Sequence, residues 1–326
     1  MAGAVLALAL LTCTMTRMPG RSHQGPLEEL TDGQRRLAAE LEGHVRKLAH
    51  EIGERHLGRP EALALAEAHI AQTWKAQGHA VQRQPYQVGG KAVRNLWVEL
   101  RGVRDGDEIV VVGAHYDSVP GTPGANDNGS GVAALLALSR IFAGASPGRT
   151  LRLVAFVNEE PPHFHTESMG SLVYARGCKQ RKERVVAMLA LETMGYFSDE
   201  PGSQHYPFPF SAFYPDTGNF IAVVGNLASR TLVRRVVRTM RDRGRFPCEG
   251  AAVPGFITGV GWSDHWSFWQ AGYPGVMITD TAPFRFPHYH AATDTADTID
   301  FPRLSQVVWG LARVVGGELV GGVDPG

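Results

Sequence analysis

The sequence has few cysteines, no net charge and no long apolar run. Its three cysteines, Cys13, Cys178 and Cys248, are too few for a disulfide-scaffolded fold or a thiolate metal cluster. The 32 Lys and Arg residues balance the 32 Asp and Glu residues, so no overall field exists that would hold nucleic acid. No apolar stretch reaches the roughly 20 residues of a membrane-spanning helix. We therefore expect neither a nucleic-acid partner nor a stable membrane span.

The rest of the composition is that of a globular protein. Of the 326 residues, 44% are hydrophobic and 20% are charged, which is enough to bury a large core. Residues 27–326 are predicted to form one catalytic domain, because no repeat or linker divides them. Cys178 and Cys248 are predicted to be free buried thiols, with a disulfide between them as the alternative.

The first 26 residues are interpreted as a signal segment or a disordered N-terminus. Residues 2–14 are apolar and have the length of a signal-peptide core. No basic residue precedes them, since the first is Arg17, and Leu10-Leu11-Thr12-Cys13 matches a lipoprotein cleavage site poorly. The balance slightly favours a secreted or anchored protein over a cytoplasmic one.

Hydrophobic periodicity predicts two N-terminal helices, a hairpin, and then alternating strands and helices. Apolar residues recur at helical spacing around 45–52 and 61–77, and strands at 80–88 and 95–100 flank a Gly89-Gly90 turn. The alternation that follows is typical of an α/β fold, here a three-layer α/β/α sandwich with a mixed, largely parallel central sheet. The later strands are predicted at 108–113, 151–157, 185–191, 220–224 and 276–279, and the later helices at 131–142, 171–176, 229–241 and from 303 onward.

Acidic residues and histidines follow several of the predicted strands. Ligands bind outside the carboxyl ends of strands in open α/β sheets, so these positions are candidates for a site. Converging carboxylates without basic partners raise each other's pKa, a conflict that a cation resolves. Mixed imidazole and carboxylate ligands suit zinc, and a shared carboxylate suits two ions. The candidates are His115, Asp117, Asp127, Glu159, Glu160, Glu192 and His290.

Each candidate also has an ordinary structural explanation when it is taken alone. A histidine after a strand is usually a hydrogen-bonded residue, and an aspartate before a helix usually caps that helix. The arrival of the whole set at strand ends favours a shared function.

As a set, these residues resemble a known family. The sequence is similar to the zinc-dependent exopeptidases that include aminopeptidase Y and the bacterial leucyl aminopeptidases, with glutaminyl cyclases and the transferrin receptor as relatives. The resemblance extends from about Leu30 to Leu319, with its motifs in the family's order. These motifs are His115-Tyr116-Asp117-Ser118, Asn126-Asp127-Asn128-Gly129-Ser130-Gly131, Glu159-Glu160, Glu192, and His290 followed by Asp294-Thr295.

The resemblance implies two Zn²⁺ ions and a role for each ligand. Asp127 corresponds to the carboxylate that bridges the two metals. Glu160 and His290 would complete one metal site, and His115 and Glu192 would complete the other. Many members have aspartate at the position of Glu192, so the longer side chain here is a departure.

The resemblance also implies the reaction. Glu159 corresponds to the general base and acid, serving a hydroxide held between the metals, and Asp117 to the carboxylate that orients His115. The expected function is hydrolysis of a peptide or small amide, with release of N-terminal residues. A single-zinc glutaminyl cyclase, a carboxypeptidase or dipeptidase of the same fold, and a non-catalytic receptor relative are the alternatives. The oligomeric state is not indicated.

Other residues are candidates for contact with the substrate or its oxyanion. Asp264 and His265 match a Ser-Asp-His element of the family, although a capped helix with buried aromatic residues explains them equally well. Tyr289 precedes His290 and is a third candidate. Arg285 is interpreted as a solvated loop residue. Ordinary core packing is favoured over a substrate pocket for the aromatic residues Tyr206, Phe208, Phe210, Phe213 and Phe220.

Overall fold

The computed structural model describes residues 14–323. Cys13 and almost all of the apolar stretch 2–14, the predicted signal-peptide core, therefore lie outside the described residues. Within them, no helix combines the length and the apolar character needed to cross a membrane.

The first long helix begins at a sequence signal that the structure satisfies. Helix α1 (Asp32–Arg46) continues into a π-helical turn (Lys47–Ile52). The Thr31 hydroxyl accepts a hydrogen bond from the Gln34 backbone, and the Gln34 side chain accepts one from the Thr31 backbone. This capping box satisfies backbone donors that the first turn leaves free. The buried face of the helix carries Leu37, Leu41 and Val45, which are four residues apart along the chain.

The described strands form one eight-stranded sheet. They are β1 (Gln82–Val88), β2 (Lys91–Leu100), β3 (Asp105–His115), β4 (Arg149–Phe156), β5 (Arg184–Glu192), β6 (Ile221–Gly225), β7 (Cys248–Ala252) and β8 (Gly275–Thr279). Their order across the sheet is β1-β2-β4-β3-β5-β8-β6-β7. The central strands β4, β3, β5 and β8 run parallel, while the β1/β2, β2/β4 and β8/β6 pairs are antiparallel. The edge strand β7 runs parallel to β6.

Helices cover both faces of this sheet. Along β3, Val110 and Val112 belong to a larger core, and Ile109 and Val111 belong to a smaller core on the opposite face. Burial on both faces explains why the central strands are continuously apolar. The remaining α-helices are α2 (Pro60–Ala76), α3 (Gly131–Ile141), α4 (Gly170–Gln180), α5 (Arg230–Thr239), α6 (His265–Ala271) and α7 (Phe301–Arg313).

The predicted three-layer α/β/α architecture is therefore confirmed. The predicted elements agree with the observed ones to within a few residues at most ends, but the first helix begins at Asp32, well before the predicted stretch 45–52, and the edge strand β7 was not predicted. Cys178 lies in the smaller core and Cys248 in the larger one, both as free thiols, as expected. Burial raises the pKa of each thiol to about 12, so both are protonated at neutral pH.

Candidate metal centre

Three parallel strands deliver site residues to one edge of the sheet. Strand β3 ends at His115 and β5 ends at Glu192, while Glu159 and Glu160 follow β4 after a short turn. His115 is in register with Phe156, the last residue of β4. Because these strands share a direction, their carboxyl ends meet and their polar residues converge.

Asp127 lies between two groups of potential metal ligands. Its Oδ1 atom is 3.3 Å from His115 Nε2, which is also 3.3 Å from Glu192 Oε2. Its Oδ2 atom is 3.1 Å from His290 Nε2, which is 3.4 Å from Glu160 Oε2. The ligand atoms of each group lie within 4.8 Å of one another, as donors around one ion must. The structure thus brings together all five predicted ligands, with one oxygen of Asp127 facing each group.

Glu159 lies beside both groups. Its Oε2 atom is 3.8 Å from His115 Nε2, and the Glu159, Glu160 and His115 donor atoms form a third close group. The side chain is buried, and burial together with the Glu192 and Glu160 charges keeps its pKa raised well above the usual range, although the His115 charge lowers it in part. A buried carboxylate with a raised pKa at this position is suited to accept and return a proton.

The residues fit a bound cation. His115 Nε2, Asp127 Oδ1 and Glu160 Oε1 are buried and form no hydrogen bond within the described part of the chain. Buried polar atoms are normally hydrogen-bonded. Buried nitrogen and oxygen atoms that lie close together without hydrogen bonds are therefore expected where side chains bind a metal ion. Imidazole and carboxylate donors are those that zinc binds in catalytic sites.

Asp117 supports the ligands from behind. Its two carboxylate oxygens accept hydrogen bonds from the backbone N–H groups of Glu159 (3.1 Å) and Glu160 (3.2 Å). Oδ1 also lies 3.5 Å from His115 Nδ1, which is 3.2 Å from the Asp117 carbonyl. Asp117 is therefore placed to orient His115, as the resemblance implied, and it also fixes the turn that carries both glutamates.

The segment that carries Asp127 is held by side chains that follow β8. Asp294 accepts hydrogen bonds from the backbone N–H groups of Asn126 (2.7 Å) and Asp127 (3.1 Å). The Asn126 side chain donates to Asp280 at 2.8 Å. Asp280 was not predicted, although an aspartate directly after a buried strand is the signal that identified the other site residues.

Zinc binding is expected to release protons at neutral pH. Burial lowers the pKa of His290, but hydrogen bonds with Asp127 and Glu160 outweigh it and leave that pKa at about 10. Burial and the adjacent Asp127 raise the pKa of Glu160 to about 8. Both groups are protonated in the metal-free protein at pH 7 but must lose their protons to bind a metal, so apparent affinity should rise with pH. Calorimetry of zinc binding at pH 7 in buffers of different ionisation enthalpy measures the release, and identical heats in all buffers would contradict it.

The other predicted residues are placed differently. Ser263 donates to Glu192 Oε2 at 2.7 Å, and the adjacent Asp264 is buried, which raises its pKa to about 7. His265 Nε2 lies 2.8 Å from the Val260 carbonyl and its ring packs edge-on against Trp269. Burial lowers the pKa of His265 to about 4, and it belongs to none of the three ligand groups. The structure therefore gives His265 a packing position at the start of α6.

A large cavity adjoins the candidate metal ligands, and its volume, including the open space at its mouth, is about 870 Å³. Glu192 and Tyr289 lie at its metal side, and the Tyr289 ring stacks on His290 with 3.9 Å between ring centroids. The floor is formed by strands β6, β7 and β8. Its apolar lining includes Phe210, Phe220, Val224, Ile257, Met277 and Phe284.

The structure corrects two expectations. Core packing, the favoured interpretation of the aromatic residues, was wrong for Tyr206 and Phe210, which line the cavity, and for Phe208 (95% exposed) and Phe213 (44% exposed), which lie outside the lining at the surface; Phe220 is buried but also lines the cavity. Arg285 is only 7% exposed, so it is not solvated. Its guanidinium donates to Gln204 Oε1 (2.7 Å) and to the Phe220 carbonyl (2.8 Å).

Comparison with known proteins decides the family. Residues 95–315, more than half of the chain, match peptidase family M28. The chain belongs to peptidase family M28. The predicted zinc-exopeptidase family is thereby confirmed.

Relatives of this M28 chain include proteins of bacteria and fungi. It is 38% identical over 285 residues to the YfbL protein of Escherichia coli, which covers 85% of this chain and 87% of YfbL. It is 30% identical over 215 residues to leucine aminopeptidase 1 of Arthroderma otae, covering 61% of this chain and 51% of that protein. The chain thus spans about half the length of that relative and of the fungal probable zinc metalloproteases that it matches.

Solved structures share the fold at low sequence identity. The zinc aminopeptidase BSAP of Bacillus subtilis has a TM-score of 0.70 at 17% identity, over 88% of this chain and 95% of BSAP. A glutaminyl cyclase of Porphyromonas gingivalis has a TM-score of 0.65 at 21% identity, over 85% of this chain and 97% of that one. The chain therefore has the same fold as these two solved enzymes.

Proposed function

We propose that this protein is a zinc-dependent aminopeptidase that uses two metal ions. The observation that carries the proposal is Asp127, which presents one carboxylate oxygen to the His115–Glu192 group and the other to the Glu160–His290 group. A carboxylate shared in this way is the arrangement of hydrolytic two-metal sites.

The chain's own residues would supply the proton transfers. Bound zinc supplies a Lewis acid that polarises the scissile carbonyl and lowers the pKa of the attacking water. Glu159 would take the proton of that water and return it to the departing amine. Tyr289 lies on the cavity side of His290 and is the candidate hydrogen-bond donor to the developing oxyanion.

The charge of the cavity supports attack at the amino end of a peptide. The residues that line it include Glu192 and Glu249, of which Glu249 is paired with Arg241 at 2.8 Å, but no lysine or arginine within the described part of the chain. A carboxypeptidase needs a cation to hold the substrate's terminal carboxylate, whereas a free terminal amine is attracted by carboxylates. The preferred substrates are therefore peptides or small amides with a free amine and a large apolar N-terminal side chain.

The experiment is a metal titration joined to a substrate panel. The metal-stripped protein is titrated with zinc, and hydrolysis of amino-acid anilides is measured with and without a blocked amine. We expect about two zinc ions per chain, with activity only on free amines. No hydrolysis of any anilide at any pH with zinc or cobalt supplied would overturn the proposal.

A glutaminyl cyclase is the second candidate. Asp127, Glu160 and His290 alone supply three protein ligands, the number found in catalytic sites with a single zinc. Solved glutaminyl cyclases share the fold. A stoichiometry of about one zinc per chain, together with cyclisation of N-terminal glutamine, would favour this candidate.

Filling the cavity floor should change the substrate preference. Ala222 is in register with Thr279 and Glu249, and all three line the cavity. In Ala222→Phe the new ring should occupy the space that a large N-terminal side chain of the substrate would fill. The kcat/KM for leucine and phenylalanine anilides should therefore fall about 10–200-fold. Alanine anilide is the internal control and should be affected little. An equal fall for all three anilides would show that the variant damages the site rather than the pocket.

A further inference from the structure

Arg55 is a buried cation that contacts the loop between His115 and Asp127. It lies between the π-helical turn and α2, outside the residues 95–315 that match the family. The residue is 0% exposed, and no carboxylate of the described residues lies within ion-pairing distance of it. A fully buried arginine without an ion-pair partner is unusual, because burying a charge is costly unless other groups compensate for it.

Backbone carbonyls provide that compensation. Arg55 Nε donates to the Tyr116 carbonyl at 2.8 Å, and Nη2 donates to the Gly124 carbonyl at 2.6 Å. Nη1 donates to the carbonyls of Pro123 and, at 3.3 Å, Gly53. The planar guanidinium offers five donors in a rigid fork, which a lysine cannot reproduce.

These contacts join the two ends of one loop. Tyr116 directly follows the ligand His115, and Gly124 comes three residues before the ligand Asp127. Gly124 has φ +61°, and a Cβ atom there would lie 2.4 Å from the Asp127 carbonyl oxygen, so the chain turns tightly beside Arg55. The guanidinium therefore sets the separation between the points at which the loop leaves β3 and enters the Asp127 segment.

The backbone of Arg55 strengthens the same connection. Its N–H donates to the Ser118 hydroxyl at 3.2 Å, and its carbonyl accepts from the Ser118 N–H at 3.0 Å. The positive charge also faces Asp294, Asp117 and Asp127, whose charges act on Arg55 through space. A fixed cation at this position offsets the mutual repulsion of those carboxylates before a metal binds.

We propose that Arg55 is a positioning residue of the metal centre: it holds the loop between His115 and Asp127 so that both ligands reach the same ion. The inference rests on the proposed function only in taking these two residues as metal ligands. Arg55 is not among the residues that line the cavity, so it touches no substrate there and acts through the loop.

The test compares zinc affinity in the full-length chain and three variants. Arg55→Met removes both the charge and the forked set of donors, and Arg55→Lys keeps only the charge. Arg152→Met removes a half-buried arginine that pairs with Glu99 and Glu183 away from the site. Competition with a chromophoric chelator should show zinc binding about 10–100-fold weaker in Arg55→Met, the range for residues that support metal ligands. Arg55→Lys should recover part of the loss, and Arg152→Met should bind as tightly as the wild type.

A second readout reports on geometry. In cobalt-loaded protein, the visible absorption bands should shift in both Arg55 variants and stay unchanged in Arg152→Met. Wild-type zinc affinity and an unchanged cobalt spectrum in Arg55→Met would overturn the inference. If that variant does not fold, the same result in Arg55→Lys would overturn it, because the single nitrogen of a lysine cannot reproduce the spread of the guanidinium across four carbonyls. A wild-type chain that binds no zinc would overturn the proposed function, and this inference with it.

Discussion

Replacing Glu159 with glutamine is expected to lower turnover by about 10²–10⁴-fold, the usual contribution of general acid–base catalysis, while zinc stays bound. Glutamine keeps the size of the side chain but cannot accept the proton of the attacking water. Glu159 Oε2 lies 3.8 Å from His115 Nε2, close enough to the ligands to serve a water held there. Single-turnover assays and metal analysis of the same sample measure both quantities.

Two control variants make this prediction specific. Glu167→Gln changes an exposed glutamate that pairs with Arg176 at the surface, and it should leave turnover unchanged. Glu160→Gln alters a residue of the His290 group and should weaken zinc binding as well as turnover. Loss of zinc in Glu159→Gln would assign Glu159 to the ligands instead, and wild-type turnover would place the base elsewhere.

Much of the candidate ligand set could be predicted because its positions follow from local rules. Buried parallel strands are recognisable from apolar runs, and the residue after each run is brought to one edge of the sheet by the common strand direction. His115, Glu160 and Glu192 are placed by this rule alone. Asp127 and His290 were candidates from the sequence as well, but their roles as the bridging carboxylate and as a ligand of one metal required the family resemblance, because both residues lie in loops whose path the periodicity does not indicate.

The cavity could not be predicted in the same way. Its floor includes β7, whose sequence Cys-Glu-Gly-Ala-Ala lacks the branched and aromatic residues that mark strands. Pairing with β6 places this strand at the sheet edge, and only that pairing brings Glu249 into line with Ala222. The aromatic residues of the cavity wall come from an irregular loop, where composition does not distinguish a lining residue from a core residue.

Buried cations were missed for a related reason. Arg55 and Arg285 follow no apolar strand, and both are satisfied mainly by uncharged oxygens, among them the carbonyls of Tyr116 and Phe220. Backbone carbonyls carry no sequence signature, so an arginine that binds them looks like any surface arginine. Their burial depends on contacts between segments far apart in the chain, which only the folded structure supplies.

Asp127→Asn is expected to have the largest effect of all the variants. An amide has one oxygen and no charge, so it cannot present an anionic oxygen to each of two ions as Asp127 does with Oδ1 and Oδ2. Zinc content should fall from about two ions per chain to one or none, and turnover should fall further than in Glu159→Gln, because the Lewis acid is lost together with the site for water.

Two comparisons show whether the shared carboxylate is the cause. His290→Gln removes a ligand of one group only, so one zinc ion should remain bound at the His115–Glu192 group. Asp297→Asn alters an exposed aspartate paired with Arg46 and should retain full metal content. Titration of each metal-stripped variant with zinc gives the stoichiometry directly. If Asp127→Asn kept two tightly bound ions, Asp127 would not bridge them, and its position between the two groups would have to serve the fold of the loop alone.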